Sequence, residues 1–292
     1  MGEDGVFRRE TRLVRATWLG ALYGATALCA LAVAAVFAFL LYFAAPVFVA
    51  GKAGSVLTFA WRPLDGAFGV LSMAAASLAL AVSALLVALP AGIGICCFTC
   101  GLGASPAARL ILGLVRFMTS IPTVVYGFVS VFALTPLIQA AFRDSSGFCW
   151  LTAGLTLSLL VLPTVVLLLE GPLRDAWERT ALTASALGLD ASRTLLHVAL
   201  PLARRAIAAA AVLGFSRALG DTLIPLMLAG NAPQLPLSPL ASIRTLTAHI
   251  ALVVSTESGS RAYNSLFAAG LLLLAAATAV NLTLRCLLRK TA

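Results

Sequence analysis

The sequence predicts an all-α, polytopic membrane protein with six transmembrane helices. Of its 292 residues, 61% are hydrophobic and only 11% are charged, which is too little charge to cover the surface of a soluble globule. Five stretches without a charged residue each reach or exceed the roughly 20 residues that a helix needs to cross a bilayer. They are residues 16–51, 66–108, 117–142, 145–169 and 262–284. These stretches exclude a secreted, fibrous or disordered protein.

The hydrophobic pattern places the six helices at 17–47, 68–96, 107–139, 150–169, 203–229 and 263–288. The chain accordingly divides into an N-terminal segment (1–16), a first helix with its outer loop (17–67) and a core (68–288). The N-terminal arginines resemble the start of a signal peptide, but the apolar run after them is too long for one, so it is a retained span. Prolines and glycines crowd the last third of 66–108, which favours one helix and a loop over two spans.

The distribution of basic residues predicts that both termini lie in the cytoplasm, because cytoplasmic loops are enriched in Lys and Arg. With that orientation fourteen basic residues lie inside and five outside. The inner residues are Arg8, Arg9, Arg12, Arg15, Arg109, Arg116, Arg174, Arg179, Arg193, Arg204, Arg205, Arg285, Arg289 and Lys290; the outer ones are Lys52, Arg62, Arg143, Arg244 and Arg261. The net charge of +9 therefore reports orientation, and we expect contact with membrane lipid and not with nucleic acid.

Metal and nucleotide sites are not expected in this chain. Cys97 and Cys100 have the spacing of half a metal site, but no second pair or nearby histidine completes it. A phosphate-binding loop with its lysine is missing from the sequence, whose only lysines are Lys52 and Lys290. The sequence also shows no constellation of nucleophile, base and metal ligands, so we predict no catalytic residue.

The inner segment 170–205 is longer than a connection between neighbouring spans requires, which indicates that it binds something. Gly188 can end one short helix in the left-handed conformation, Asp190 can cap the next, and Pro201 can stop that helix before the fifth span. The second helix would carry Leu195 and Val198 among charged residues. Such a helix could pack into the groove of a partner or rest on the membrane surface.

Two charged residues interrupt the fifth predicted span, Arg217 and Asp221. Spaced four apart on one helix, they would share a face and could pair. Burying an arginine in a membrane costs about 2.5 to 3.5 kcal/mol, so the pair is either a structural salt bridge or part of an anion pathway. Thr222 and Asn231 could line the same pathway, although Asn231 could equally cap the end of the fifth helix.

Two prolines, Pro122 and Pro163, are expected to kink the third and fourth spans. Broken helices often line transport pathways, but kinks also occur in structural helices. Beyond the fifth span, the outer stretch 230–261 contains an apolar piece at 246–254 that is too short to cross the membrane and would form an interfacial or re-entrant helix.

The inner segment resembles the cytoplasmic loop motif of ABC importer permeases, in which a glycine is followed after nine residues by an aliphatic residue, one residue and Leu-Pro. The match covers 188–201 and the small residues Ala184 and Ala186, and it departs where the motif has an acidic residue and this chain has Leu182. Further stretches are similar to the phosphate-specific (Pst-type) permease subunits, and more to the C-type than to the A-type. They are Ser-Ile-Pro-Thr-Val-Val-Tyr-Gly at 120–127, Leu-Pro-Thr at 162–164, Arg-Ala-Leu-Gly-Asp at 217–221, Ala-Gly-Asn at 229–231, Arg-Thr-Leu-Thr-Ala-His-Ile at 244–250 and Asn281.

This resemblance implies the fold of type I (MetI-like) importer permeases and the import of inorganic phosphate across the plasma (inner) membrane. It implies a homologous second permease subunit, two ATPase subunits that hold ATP and magnesium, and a phosphate-binding protein on the outer face. The loop around Gly188 would dock on an ATPase. In the family the arginine and an acidic partner, usually glutamate where this chain has Asp221, are implicated in phosphate passage. The alternatives are a permease for sulfate, molybdate or tungstate and, in another class, an ion-coupled carrier or channel.

Overall fold

The computed structural model describes residues 3–49, 57–101, 105–143, 145–254 and 261–289. The helices are α1 (Glu3–Val49), α2 (Leu71–Gly101), α3 (Pro106–Thr119), α4 (Thr123–Phe132), α5 (Leu134–Ala141), α6 (Trp150–Ala186), α7 (Ala191–Leu202), α8 (Arg204–Gly220), α9 (Leu223–Leu228), α10 (Leu246–Val253) and α11 (Arg261–Arg289). A hairpin of two short antiparallel strands, β1 (Trp61–Arg62) and β2 (Ala67–Phe68), precedes α2 and pairs Trp61 with Phe68. The predicted all-α class is confirmed, and this hairpin is its only sheet among the described residues.

The predicted number of six membrane spans is not confirmed by the described residues. Four helical stretches are long and apolar enough to cross a membrane, 18–45 in α1, α2, the α4–α5 stretch (Thr123–Ala141) and α6; they become five if α7 and α8, bent by 68° from each other, count as one span. The described apolar part of α11, Ser265–Val280, is shorter than a span. Asn281, singled out by the resemblance, lies outside the residues whose side chains the structure describes, as do the arginines of the N-terminal segment and Lys290.

Four predicted helices have different bounds in the structure. The first begins at Glu3 and not at residue 17, so most of the predicted N-terminal segment is helical. The third is divided into α3, α4 and α5, with a break at residues 120–122, where Pro122 cannot donate a helical hydrogen bond. The fourth does not stop at residue 169 but continues as α6 to Ala186, so the first half of the predicted inner loop is helix. The fifth is divided into α8 and α9.

The core lies where α2, α6 and α8 pack against one another. Small residues permit the close packing: a methyl group on Gly92 of α2 would approach Val165 of α6 to 2.6 Å, and one on Gly214 of α8 would approach Val161 to 3.1 Å. A second cluster joins the ends of α2 and α6 to α3 and α7. Cys96 and Cys100 lie inside it, so these two thiols pack as small apolar groups.

The two ends of the bundle differ. At one end, called here the Gly188 end, α6 passes through Gly188 into α7. The opposite end, called here the hairpin end, holds β1, β2, the start of α6 and α10; the Trp150 amide donates to the Ala241 carbonyl there, at 3.0 Å. α10 coincides with the predicted short apolar helix and is buried against the starts of α2 and α11. Because α6 has 37 residues, about 1.5 Å each, it extends for roughly 55 Å and links the two ends.

Candidate functional site

The candidate site lies at the break between α8 and α9. α8 ends at Gly220, and Asp221 adopts an extended conformation with φ −71° and ψ 135°. Its carboxylate accepts a hydrogen bond from the Ile224 amide at 2.9 Å and so caps α9. Pro225 lies four residues after Asp221 and has no N–H to donate to the Asp221 carbonyl, so a continuous helix would lack one hydrogen bond here.

The predicted pairing of Arg217 and Asp221 on one helical face is therefore wrong. Arg217 belongs to the last turn of α8, whereas Asp221 lies beyond the end of that helix and is occupied as a cap. None of the ion pairs among the described residues includes either side chain. Arg217 is exposed in the isolated chain. The structural alternative, a salt bridge between these two side chains that locks the bundle, is not formed among the described residues.

α10 is hydrogen-bonded to this break. The Thr247 hydroxyl donates to the Asp221 carbonyl at 2.8 Å, which supplies the donor that Pro225 lacks. The Leu246 amide donates to the Ser77 hydroxyl of α2 at 2.8 Å. Sequence analysis missed both contacts, although the proline four residues after Asp221 was a visible signal that this carbonyl needs another donor. The break is thus an ordered turn with defined hydrogen-bond partners, and α10 links it to α2.

A second break, between α3 and α4, also lies next to a proline. Pro122 begins α4 and has no N–H for the Met118 carbonyl, which accepts a hydrogen bond from the Tyr126 hydroxyl at 2.9 Å. α4 packs closely on α9, since a methyl group at Gly127 would approach the Met227 sulfur to 2.7 Å. The two interrupted spans therefore meet. The other predicted kink residue, Pro163, is buried within the continuous helix α6.

At the far end of α9 the chain turns through two residues with positive φ, Gly230 at 81° and Asn231 at 59°. The Asn231 amide nitrogen donates to the Leu226 carbonyl at 2.7 Å, so the side chain caps the end of α9, as one of the two sequence hypotheses proposed. The Asn231 carbonyl accepts a hydrogen bond from Arg244 Nε at 2.8 Å. Thr222, the remaining predicted pathway residue, is half-buried between Asp221 and α9.

The Gly188 end has the helix–glycine–helix geometry that the spacing indicated. Gly188 has φ +79°, in the left-handed region, and the Leu189 amide bonds back to the Ala184 carbonyl at 3.0 Å. Asp190 caps α7 by accepting from the Arg193 amide at 3.0 Å. This bond and one from the Ser192 hydroxyl hold the pKa of the Asp190 carboxyl below its usual value. α7 ends at Leu202, directly after Pro201.

Not all predicted docking residues are on the surface. Leu195 and Ala184 are buried, so Leu195 packs into the inner core cluster and is not free to enter a partner's groove. Leu182, Leu187 and Leu196 are apolar and are exposed by 83%, 77% and 56%, and sequence analysis had not assigned Leu182 or Leu187 to docking. Ala186, Gly188, Asp190 and Pro201 are exposed, and Val198 lines a groove of about 600 Å³ together with His197, Pro201, Leu202, Arg204 and Arg205.

Comparison with known proteins identifies the family. Residues 99–292 match the family model described as "Binding-protein-dependent transport system inner membrane component". The chain is 31% identical over 217 residues to the probable ABC transporter permease protein YqgH of Bacillus subtilis, covering 73% of this chain and 70% of the relative. It is 26% identical over 232 residues to the phosphate transport system permease protein PstC of Mesorhizobium japonicum (73% and 71% covered) and 27% identical over 253 residues to PstC of Haemophilus influenzae (79% and 79% covered). This chain is therefore a member of the family of inner membrane components of binding-protein-dependent transport systems, the membrane permease subunits of ABC transporters.

Proposed function

We propose that this chain is a permease subunit through which an ABC importer moves inorganic phosphate into the cytoplasm by alternating access. The observation that carries the proposal is Arg217, an exposed guanidinium without an ion-pair partner among the described residues, at the meeting point of two interrupted spans. A guanidinium presents several N–H donors in a planar fork that matches an oxyanion. Similarity to two relatives named as phosphate transport permeases supports phosphate as the substrate.

The partners follow from the family. A homologous second permease subunit would complete the central pathway, and two ATPase subunits would hold ATP and magnesium. A phosphate-binding protein would deliver its ligand at the hairpin end, which we place on the outer side of the membrane. The Gly188 end would face the cytoplasm, as would both termini. On this orientation the exposed Leu182, Leu187 and Leu196 would contact an ATPase.

α7 and α8 connect the proposed ATPase contact to the candidate site. α7 follows Gly188 and continues at a 68° bend into α8, and the last turn of α8 carries Arg217. A displacement of α7 by an ATPase would therefore move α8 relative to α9, because the chain between them is broken at Asp221 and can bend there. Opening and closing this break would present Arg217 alternately to the two sides of the membrane.

The test of this function is energy-dependent uptake of labelled phosphate in cells with and without this chain, in the presence of excess sulfate, molybdate or tungstate. We expect deletion to abolish uptake and the competitors to have no effect. If deletion leaves phosphate uptake unchanged and removes the uptake of another oxyanion, the substrate is wrong but the ABC architecture stands. Uptake that continues without any ATPase partner would favour an ion-coupled carrier.

A further inference from the structure

We propose that Arg244 is a second oxyanion-binding residue, which receives the anion at the hairpin end of α9 before the anion reaches Arg217. This inference rests on the proposed function. Arg244 precedes α10, the short helix whose Thr247 is bonded to the break at Asp221. Sequence analysis counted Arg244 among the outer basic residues and within the stretch 244–250 that resembles the Pst-type subunits, but gave it no role.

The charge of Arg244 is not balanced within the described part of the chain. Its side chain is half-buried, but none of the ion pairs there includes it. All three of those ion pairs lie at the Gly188 end. At the other end the described carboxylates are Asp65, which is exposed in the hairpin turn, and Asp221, which caps α9. A half-buried guanidinium without a carboxylate is costly unless another anion approaches it.

The hydrogen bonds of Arg244 also leave room for a ligand. Only Nε is used, in the 2.8 Å bond to the Asn231 carbonyl, and this bond fixes the guanidinium plane at the turn that ends α9. The two terminal nitrogens have no hydrogen-bond acceptor among the described residues. In the turn after α9, Asn231 Oδ1 is buried and has no hydrogen-bond donor among the described residues. Because the Asn231 amide nitrogen is bonded to the Leu226 carbonyl, Oδ1 is the acceptor of that side chain. An oxyanion could supply the acceptors that the terminal nitrogens of Arg244 lack.

Arg217 and Arg244 lie on opposite sides of α9. Arg244 is held at the turn after Leu228, and Arg217 precedes the break before Leu223. α9 has six residues and rises by about 9 Å, so its two ends are close together. Two sites of moderate strength let an ion enter and leave, whereas one deep basic pocket would trap it.

The experiment compares substitutions that separate charge from hydrogen bonding in the whole transporter reconstituted in proteoliposomes. Arg244→Gln keeps an N–H donor for the Asn231 carbonyl but removes the charge; Arg244→Lys keeps the charge. Arg143→Gln is the matched control, because Arg143 is an exposed arginine at the same end of the bundle. We expect Arg244→Gln to lower ATP-driven phosphate uptake about tenfold, Arg244→Lys to retain most of it, and Arg143→Gln to match the wild type. The thermal stability of the complex should be the same in all four.

Two results would overturn the proposal. One is phosphate uptake by Arg244→Gln within about twofold of the wild type. The other is an equal loss in the Gln and Lys variants accompanied by a lower thermal stability, which would make Arg244 only a clamp for the Asn231 turn. If the wild-type complex carries another oxyanion and not phosphate, the proposed substrate fails, and the same comparison with that oxyanion still decides the role of Arg244.

Discussion

At the scale of single residues, each of two breaks in the membrane helices lies next to a proline, Pro122 or Pro225. Pro122 and Pro225 each leave a carbonyl four residues earlier without its helical donor. In both places a hydroxyl takes over, from Tyr126 to Met118 and from Thr247 to Asp221. The breaks are therefore satisfied structures with defined partners, and they can persist in an apolar environment where an unpaired carbonyl is costly.

Thr247→Val tests whether the Thr247 hydroxyl is the donor that stabilises the Asp221 carbonyl. Valine keeps the shape of threonine but leaves the Asp221 carbonyl without its partner, so we expect a loss of about 1 to 3 kcal/mol of stability. Thr278→Val is the control, because the Thr278 hydroxyl bonds only to the Leu274 carbonyl of its own helix, and it should change stability by less than about 0.5 kcal/mol. Thermal unfolding of the purified protein in detergent measures both. Equal stability of the two variants would refute the role of Thr247.

Arg217→Gln should abolish phosphate transport while the complex still assembles. The guanidinium forms no ion pair among the described residues, and without it the Asp221 carboxylate still accepts its hydrogen bond from the Ile224 amide. Uptake in proteoliposomes and size-exclusion chromatography of the complex measure the two properties. Loss of the assembled complex would show that Arg217 is structural after all.

His249 of α10 predicts a dependence of stability on pH. Burial, with the charge of Arg244 as a smaller cause, lowers its pKa from 6.5 to about 4. The unfolded chain therefore takes up the proton first as the pH falls, and stability decreases between pH 6.5 and about 4. From pH 7 to pH 5 the loss from this group is about 2 kcal/mol.

His249→Gln should remove that contribution. The variant keeps a polar side chain next to the Ser265 hydroxyl, which lies 3.2 Å from His249 Nε2. Thermal unfolding at both pH values compares the two proteins, and the difference between wild type and variant isolates His249 from the carboxylates. The same acid sensitivity in both would contradict the assignment of a neutral buried imidazole.

At the scale of elements, composition predicted the helices but not their interruptions. Apolar runs established α1, α2 and α6, because a membrane span needs only length and the lack of charge. The pattern of 203–229 also looks like one span, since Arg217 and Asp221 have helical spacing. The structure divides it because Asp221 gains a cap interaction with Ile224 and a carbonyl partner in Thr247, and the second of these is distant in sequence. Contacts of that kind cannot be deduced from local periodicity.

The helix–glycine–helix element was predictable because it depends on local conformation. Gly188 has φ +79°, a region that costs other residues about 1 to 2 kcal/mol, and the spacing to Asp190 and Pro201 is visible in the sequence. The burial of Leu195 was not predictable, since it depends on how α7 leans against α6 and α2.

Two glycine substitutions test the conformational requirement. A methyl group would meet no atom within 4 Å at Gly188 or at Gly171, which lies inside α6. Gly188→Ala should therefore destabilise the protein by about 1 kcal/mol because of its positive φ, whereas Gly171→Ala should be neutral or stabilise it by up to about 1 kcal/mol. Thermal unfolding of both variants measures this. A neutral Gly188→Ala would contradict the left-handed conformation.

A larger charged substitution tests coupling. Gly188→Glu places a carboxylate on the exposed surface that we assign to the ATPase contact. We expect ATP hydrolysis to become uncoupled from transport or the ATPase to be lost from the complex, whereas Gly171→Ala retains coupling. The ratio of phosphate transported to ATP hydrolysed is the measurement, and an unchanged ratio in Gly188→Glu would exclude the docking role.

At the scale of the whole molecule, the distribution of charge fits a path for an anion. The described ion pairs, such as Arg174 to Glu170 at 2.7 Å, lie at the Gly188 end, while the break at Asp221 and the turn at Asn231 each have an arginine without a carboxylate partner among the described residues. α6 and the bent pair α7–α8 connect these two regions. Movement at one end can thus alter the surroundings of the guanidiniums at the other.

The most direct test of this account is ATP-driven accumulation of labelled phosphate in proteoliposomes that contain the whole transporter, with wild-type chain or with Arg217→Gln. The account predicts accumulation by the wild type in the presence of excess sulfate, and none by the variant although it assembles and binds its ATPases. Accumulation by Arg217→Gln at the wild-type rate would contradict the account.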